Sequence, residues 1–334
     1  TAWVVSIIRG TLISLLILVS ARFVSDFFQS PSAFSLISLM ALIPLIRGFI
    51  NPSSVRFQKN LEFNKEFLYR LTIFLVDSSV TVLLAFYIRS ATSLVWGLIA
   101  GATAEVLLSH LFIQPRPRLT FEIDKIKKVI NRGKWLTLAG VMQYFFQNGD
   151  NIVVGKLLGS GQLGLYDMAY KISILPITEV SDVFGKVTFP AYTQIQSDRP
   201  RLKIAFYKTV LGISILVIPI GLLLFTFSAQ IVLLFLGEKW ISIIEVLKLL
   251  SIFAIIRAIY GSLGALFLAV KKQEYLTMLT LINILGLAIP IVPLVHKYGI
   301  IGAAMAAMIG QIAAIPLAIY YLNKVFKPSH ETIH

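Results

Sequence analysis

The sequence contains no cysteine and few charged residues. Cysteine is absent from all 334 positions, which excludes a disulfide framework and a metal site built on thiolates. Asp, Glu, Lys and Arg make up 14% of the chain, whereas hydrophobic residues make up 57%. A soluble domain has about 25% charged residues, because its surface must stay hydrated. The composition therefore excludes a soluble globular enzyme and indicates a membrane protein.

Acidic residues are scarce relative to basic ones. The chain has 16 Asp and Glu against 30 Lys and Arg, a formal net charge of +14. Such a surplus occurs in nucleic-acid-binding proteins, but in so apolar a chain it is typical of basic loops on the cytoplasmic side of a membrane. We therefore expect no nucleic acid among the partners.

Common enzyme motifs are also lacking. The chain has no G-x-S-x-G elbow and no G-x-x-x-x-G-K-[ST] phosphate loop. Residues 330–334, HETIH, formally match the zinc-peptidase motif H-E-x-x-H. Pro328 and Ser329 directly precede this motif, and no third zinc ligand follows it. We predict no metal site, no cofactor and no enzymatic activity; the alternative from the enzyme class is a zinc peptidase or a glycan polymerase.

Long apolar stretches dominate the chain, and a helix needs about 20 such residues to cross a bilayer. They predict an all-α transmembrane bundle of about ten helices. One longer, basic connection divides the predicted helices into two groups. We predict four helices in 1–113, a linker in 114–134, six helices in 135–322 and a tail in 323–334. The predicted spans are 3–21, 33–50, 67–88, 93–113, 135–158, 164–189, 206–227, 244–270, 276–295 and 300–322.

Basic residues are distributed unevenly between the two sides that alternating spans define. One side carries eighteen and the other five, which the positive-inside rule assigns to the cytoplasm and the outside. Both ends of the chain are then cytoplasmic, and we expect the basic linker to lie on anionic membrane lipids. The eighteen lie in 47–65, 116–134, 199–203, 271–272 and 324–327, and the five are Arg22, Arg89, Lys156, Lys239 and Lys297.

Ionisable residues inside predicted spans are costly to bury and are functional candidates by default. The carboxyl groups of Asp77, Glu105 and Asp150 are candidates for ion coupling, because such groups can take up and release protons. Lys171 and Arg257 are candidates for holding an anionic group. The alternative is that these charges pair across helices and fix only the packing. The sequence leaves both interpretations open.

The last predicted span carries a face of small residues. Gly302 and Gly310 lie on it together with several alanines. Small residues let two helix backbones approach closely in a membrane. We therefore predict close helix packing there, with Gln311 as the one polar side chain within it.

The stretch 129–196 contains Gly155-Lys156-Leu157-Leu158-Gly159, Leu163-Gly164-Leu165-Tyr166 and Ala169-Tyr170-Lys171. With these pieces it resembles the polysaccharide-transporter branch of the multidrug/oligosaccharidyl-lipid/polysaccharide (MOP) flippase superfamily. The opening Thr1-Ala2-Trp3 resembles the start of the third transmembrane helix of that family, so the first two helices of the family fold are expected to be missing. The other matching pieces are Gly149-Asp150, Phe189-Pro190-Ala191 and Gly237-Glu238-Lys239-Trp240.

The resemblance implies two six-helix bundles around a central cavity and transport by ion-coupled alternating access. The implied cargo is an undecaprenyl-diphosphate-linked oligosaccharide for O-antigen, capsule or exopolysaccharide assembly at the bacterial inner membrane. Polysaccharide polymerase and other assembly proteins are the implied protein partners. Another cargo on the same fold, a peptidoglycan lipid precursor or a cationic drug, is the nearest alternative.

Carried over residue by residue, the resemblance puts Asp150 and Lys156 in the first helix of the second bundle, and Tyr170 and Lys171 in the next. Substrate contacts are then expected from Lys171, Arg257, Tyr170 and Lys156, and ion coupling from Asp150, Asp77 or Glu105.

Overall fold

A computed structural model of the chain describes residues 1–59, 62–117 and 147–327, with 122, 133, 137, 140, 141 and 144 between them. Every regular element in these residues is a helix, which confirms the predicted all-α class. Most of the predicted linker 114–134 and the HETIH sequence at 330–334 lie outside the described residues. The chain divides into two compact units, Thr1–Gln143 and Tyr144–His334.

The N-terminal unit contains a short helical pair where one span was predicted. The predicted span 33–50 forms two helices that meet at Ala41. Pro44 lies in the first turn of the second of them, where its missing N–H would have no partner within the helix. The helices are α1 (Ala2–Phe27), α2 (Ala33–Met40), α3 (Leu42–Arg47), α4 (Arg56–Lys59), α5 (Phe63–Ile88) and α6 (Thr92–Phe112), with a 3-10 helix at Pro52–Val55.

The C-terminal unit is built around one buried helix. This helix, Ile244–Ala269, packs against Gly149–Gln194, Arg199–Thr226 and Ile300–Ala313 and is apolar around most of its circumference, as expected for a central helix. The helices are α7 (Gly149–Gln194), α8 (Arg199–Thr226), α9 (Ser228–Phe235), α10 (Ile244–Ala269), α11 (Gln273–Tyr298), α12 (Ile300–Ala313) and α13 (Ile315–Phe326), with a 3-10 helix at Glu238–Ile243.

Helix α7 is two helices joined at Gly159. The backbone there has φ 83° and ψ 173°, which is not helical, and side chains other than hydrogen strongly disfavour this conformation. The break falls between the predicted spans 135–158 and 164–189.

Several helices are long and apolar enough to cross a bilayer. Within the described residues six segments meet this criterion, namely α1, α5, α6, α8, α11 and the continuous stretch Ile300–Phe326. The chain is therefore a multi-pass membrane protein. The full count of about ten spans stays a prediction.

Small residues hold α11 against α12. A Cβ atom on Gly302 would lie 2.0 Å from the carbonyl oxygen of Leu294, and one on Gly310 would lie 2.6 Å from that of Asn283. At the same contact the side-chain amide of Asn283 donates to Oε1 of Gln311 over 2.9 Å. The predicted small-residue face, with its one polar side chain, is confirmed.

Asn51 closes the end of α6 in the N-terminal unit. Its side chain is fully buried, and its Nδ2 donates to the carbonyl oxygens of Ser109 (3.3 Å), Ile113 (3.0 Å) and Pro115 (3.1 Å). The last carbonyls of a helix have no partner within the helix. The side-chain amide of Asn51 therefore supplies donors to backbone carbonyl oxygens that would otherwise lack a hydrogen-bond partner. Sequence analysis did not identify this role.

We expect Gly310→Val to lower the midpoint of thermal unfolding in detergent. The new side chain would meet backbone atoms of α11 that cannot move aside, and overpacking of this kind costs about 1–3 kcal/mol. Gly161→Val is the matched control, because no atom lies within 4 Å of a Cβ at that position. An unchanged midpoint for G310V alongside G161V would contradict the close packing of α11 and α12.

Asn51→Leu should also destabilise the protein, because it leaves the carbonyl groups at the end of α6 without the Asn51 donor. Leaving a buried acceptor without a partner costs about 1–3 kcal/mol. The comparison is with Asn64→Leu, since Asn64 is exposed on α5. Limited proteolysis of the N-terminal unit measures the difference; equal cleavage rates for the two variants would show that Asn51 is dispensable.

Candidate functional site

The C-terminal unit contains a connected row of polar side chains that begins at Asp150. Asp150 is 6% exposed, and the hydroxyl of Tyr166 donates to its Oδ2 over 2.9 Å. Its Oδ1 accepts the backbone N–H of Asn151 over 2.9 Å. Both carboxylate oxygens of Asp150 are therefore hydrogen-bonded inside the protein.

The break at Gly159 makes the contact between Asp150 and Tyr166 possible. The two residues are 16 positions apart in sequence, which in a continuous helix would separate them by about 24 Å. At Gly159 the chain changes direction, so the segment before it folds back on the segment after it. Gly159, the last residue of one of the pieces that resemble the family, thus brings the side chains of Asp150 and Tyr166 together.

Arg257 forms the other end of the row. Its Nη1 donates to the hydroxyl oxygen of Tyr170 over 2.6 Å, and its guanidinium carbon lies 5.8 Å from the centroid of the Phe253 ring. Tyr166 and Tyr170 lie one turn apart on α7, with ring centroids 6.3 Å apart. We call Asp150, Tyr166, Tyr170 and Arg257 the polar row.

The two charges of the polar row are separated by the tyrosines. No salt bridge to Asp150 or Arg257 occurs in the part of the chain that the structure describes. A guanidinium carries five N–H donors, and only Nη1 of Arg257 donates to a described side chain. Arg257 is thus held in place by Tyr170 and Phe253 and keeps donors for an oxyanion.

Lys171, one of the predicted cationic contacts, is paired outside this arrangement. The side chain of Lys171 is 58% exposed, and its Nζ pairs with Oδ2 of Asp167 over 2.6 Å, one helical turn away. Lys156 is partly exposed between Asp150 and Gly159. The polar row therefore includes Asp150, Tyr170 and Arg257 from the predicted set.

Asp77 and Glu105 line a cavity of about 340 Å³ in the N-terminal unit. Nε of Arg47 lies 3.0 Å from Oε2 of Glu105. This ion pair lacks the alignment of a hydrogen bond, so Oε2 has no hydrogen-bond partner among the described residues. Asp77 accepts a long hydrogen bond, 3.4 Å, from the hydroxyl of Thr81. The structure therefore brings two of the three predicted coupling carboxylates to one cavity.

Tyr166 was missed as a functional residue by the sequence analysis. Its side chain is completely buried, and a buried phenol requires a hydrogen-bond partner. The only signal in the sequence was its place in Leu163-Gly164-Leu165-Tyr166. That pattern could not name Asp150 as the acceptor.

No group of three or more His, Asp or Glu side chains suited to a metal ion occurs among the described residues. Residues 330–334, with the H-E-x-x-H match, are not among them. The described side chains instead provide the guanidinium of Arg257 with open donors, the buried carboxylate of Asp150, and the carboxylates of Asp77 and Glu105 that line one cavity.

Comparison with curated sequences gives several relatives. The chain is 27% identical over 317 residues to the lipopolysaccharide biosynthesis protein WzxC of Escherichia coli (strain K12), covering 94% of this chain and 64% of the relative. It is 22% identical to the teichuronic acid biosynthesis protein TuaB of Bacillus subtilis (strain 168), covering 80% of this chain and 56% of the relative. The chain thus spans less than two thirds of the length of both relatives.

Solved structures show the same fold. The lipid II flippase MurJ in an inward closed conformation matches 97% of this chain and 74% of its own, with a TM-score of 0.72 and 17% identity. An inward-facing MATE multidrug transporter of the MOP superfamily matches 98% of this chain and 81% of its own, with a TM-score of 0.72 and 16% identity.

A family model confirms the resemblance seen in the sequence. The model described as "Polysaccharide biosynthesis protein" matches residues 1–245, which include the polar residues of α7 and the start of α10. The fold is that of MOP-superfamily transporters. The chain belongs to the polysaccharide biosynthesis protein family.

Proposed function

We propose that the protein carries a polyprenyl-diphosphate-linked oligosaccharide across the bacterial inner membrane for O-antigen, capsule or exopolysaccharide assembly. The observation that carries this proposal is Arg257, which is held by Tyr170 and Phe253 and keeps N–H donors for an anion. The family, and the names of relatives such as WzxC and TuaB, supply the link to surface polysaccharides. The proposed activity is that of the whole protein.

Arg257 would contact the diphosphate of the cargo. A guanidinium presents a planar fork of donors that matches phosphate oxygens, and charge-assisted bonds of this kind are about twice as strong as neutral ones. Tyr170 would orient the guanidinium, and its own hydroxyl hydrogen could reach the same oxyanion. Lys156 and Lys171 are the further contacts proposed for the sugar or the diphosphate.

Asp150 is the first candidate for ion coupling, and Asp77 and Glu105 are the others. A carboxyl group within a span can alternate between the charged and neutral forms as the site opens to either side of the membrane. Because Tyr166 donates to Asp150, a change in the charge of Asp150 would be felt along α7 toward Tyr170 and Arg257.

We further propose the membrane arrangement that the basic loops predict. Four helices in 1–113 and six in 135–322 would form the two bundles, joined by the basic linker 114–134, with both ends of the chain in the cytoplasm. Alternating access would then expose the polar row first to the inner and then to the outer side. Polysaccharide polymerase and other assembly proteins would receive the cargo outside.

A peptidoglycan lipid precursor is the second candidate cargo. It is favoured by the fold shared with the lipid II flippase MurJ, and Arg257 would suit any lipid diphosphate. A cationic drug is disfavoured, because the half-buried side chain that keeps open donors here is itself a cation.

Arg257→Ala in the full-length protein should reduce export of the lipid-linked oligosaccharide by about tenfold or more. A hydrogen bond to a charged group contributes about 1.5–3 kcal/mol, and 1.4 kcal/mol corresponds to a factor of ten. The measurement is surface polysaccharide in a strain that lacks the native transporter, with lipid-linked oligosaccharide counted on the inner face. Arg201→Ala, on the exposed start of α8, is the matched control. Normal export by R257A would overturn the anion role of Arg257. If the wild-type protein instead restores peptidoglycan synthesis in a strain that lacks its own transporter of the peptidoglycan lipid precursor, the second candidate cargo is identified.

Asp150→Asn should abolish the dependence of transport on an imposed pH gradient while leaving cargo binding in place. Asparagine keeps an oxygen that can accept from Tyr166 but does not titrate near neutral pH. Proteoliposomes of the full-length protein report the rate with and without the gradient. Asp167→Asn is the control, because Asp167 pairs with Lys171 at an exposed position. If D150N keeps its gradient dependence, Asp150 is not the coupling group, and Asp77→Asn and Glu105→Gln are tested in the same way. A wild-type protein whose rate does not change with the gradient would show that coupling is absent.

A further inference from the structure

A second polar cavity lies at the end of the C-terminal unit where α8 begins and α13 ends. It has a volume of about 630 Å³ and no carboxylate among its lining residues. Three ammonium groups, one amide and one phenol face it together with one phenyl ring. The lining residues are Lys203, Tyr320, Asn323, Lys324, Phe326 and Lys327.

The three lysines of this basic cavity form no salt bridge with a described carboxylate, although Glu274 attracts Lys324 at longer range. No salt bridge to Lys203, Lys324 or Lys327 occurs among the residues that the structure places. The nearby carboxylate, Glu274, lies 3.4 Å from Lys272 instead. Like charges gathered around one cavity repel each other, and an anion between them would remove that cost.

Aromatic rings hold the walls of the cavity in place. The ring of Phe326 lies 5.8 Å from that of Phe206 on α8, which ties α13 to α8. Tyr321 stacks on Tyr275 of α11, with centroids 4.1 Å apart and planes 4° apart. Nζ of Lys324 lies 5.8 Å from the same Tyr275 ring. Lys203 and Lys324 therefore lie on packed helices, and Lys327 directly follows α13.

Beyond the cavity, apolar side chains continue along both helices. On α8 the exposed residues Ile204, Tyr207, Leu211 and Ile215 recur every three or four positions and so share one face. Ile319 is exposed on α13, next to Tyr320. A ligand that fits both surfaces is anionic at one end and apolar along the rest.

We propose that this basic cavity binds the phosphate headgroup of an anionic glycerophospholipid, whose acyl chains lie on the exposed apolar face of α8. A free phosphate shares the headgroup chemistry, but it would leave the apolar face of α8 unexplained. Basic residues near the ends of spans usually report only orientation. Here three of them line one cavity with an amide and a phenol, which is the composition expected of a headgroup site between transmembrane helices.

Lysine labelling of the wild-type protein tests the proposal directly. The full chain is placed in nanodiscs of phosphatidylcholine with or without phosphatidylglycerol, reductively methylated, and analysed by mass spectrometry. We expect phosphatidylglycerol to slow labelling of Lys203, Lys324 and Lys327 by about threefold or more, and to leave Lys239 and Lys271 unchanged, because both are exposed and line neither the cavity nor the apolar face of α8. Equal labelling in the two lipids would overturn the proposal.

Sodium pyrophosphate added to phosphatidylcholine nanodiscs separates a lipid from a soluble phosphate. Lipid binding predicts no protection by pyrophosphate. Protection equal to that by phosphatidylglycerol would instead show a site for soluble phosphate or diphosphate, and the lipid proposal would fail.

A charge-matched pair of variants supplies a second measurement. Lys203→Gln, Lys324→Gln and Lys327→Gln together should lower phosphatidylglycerol retained in native mass spectrometry by about tenfold. Arg201→Gln, Lys239→Gln and Lys271→Gln together remove the same charge outside the cavity and should retain the lipid. Equal losses in both variants would mean that net charge alone attracts the lipid. If the first variant does not fold, the wild-type labelling decides the matter.

Discussion

The structure depends on the cost of placing a polar group where no water can reach it. Several buried polar side chains among the described residues meet this cost with a partner inside the protein. Asp150 accepts from Tyr166, and Asn51 donates to the last carbonyls of α6. Asn283 donates to Gln311 between α11 and α12. These contacts lie between elements that are distant in sequence or separated by a turn, so they also fix how the helices pack.

Other polar groups keep hydrogen-bonding capacity that no described residue uses. Arg257 is bonded to Tyr170 and retains open donors, whereas Oε2 of Glu105 is buried beside Arg47 without a hydrogen bond. A stable scaffold gains nothing from leaving such groups unsatisfied. A transporter does, because a cargo that completes the bonds in one conformation and loses them in another can be picked up and released.

Hydropathy and small-residue patterns predicted the elements well. The predicted span 67–88 corresponds to Phe63–Ile88 and the predicted span 93–113 to Thr92–Phe112, because the bilayer fixes the length of apolar helices. The packing face of Gly302 and Gly310 was also predictable, since close approach needs small side chains in a fixed pattern. The split of 33–50 at Ala41 was not, because hydropathy does not register a change in helix direction.

The site was predictable only in parts. Their position within predicted spans identified Asp150 and Arg257 one by one. The contact between Tyr170 and Arg257 could not be predicted, because the two residues are 87 positions apart. The periodicity within α7 or α10 does not encode which face of one helix meets the other. Tyr166 was missed for the same reason: its partner is set by the direction of the chain after Gly159. The pairing of Asp77 with Glu105 in one cavity likewise needed the packing of α5 on α6.

The break at Gly159 also bears on how the chain enters the membrane during synthesis. Asp150 and Tyr166 belong to one hairpin, so their bond can form as soon as that hairpin has left the ribosome, well before α10 is made. Arg257 lies on α10, which is made later, so its bond to Tyr170 can form only after the bond between Asp150 and Tyr166 has become possible. Assembly of the polar row is thereby ordered from the N-terminal side, with the costliest group sheltered first.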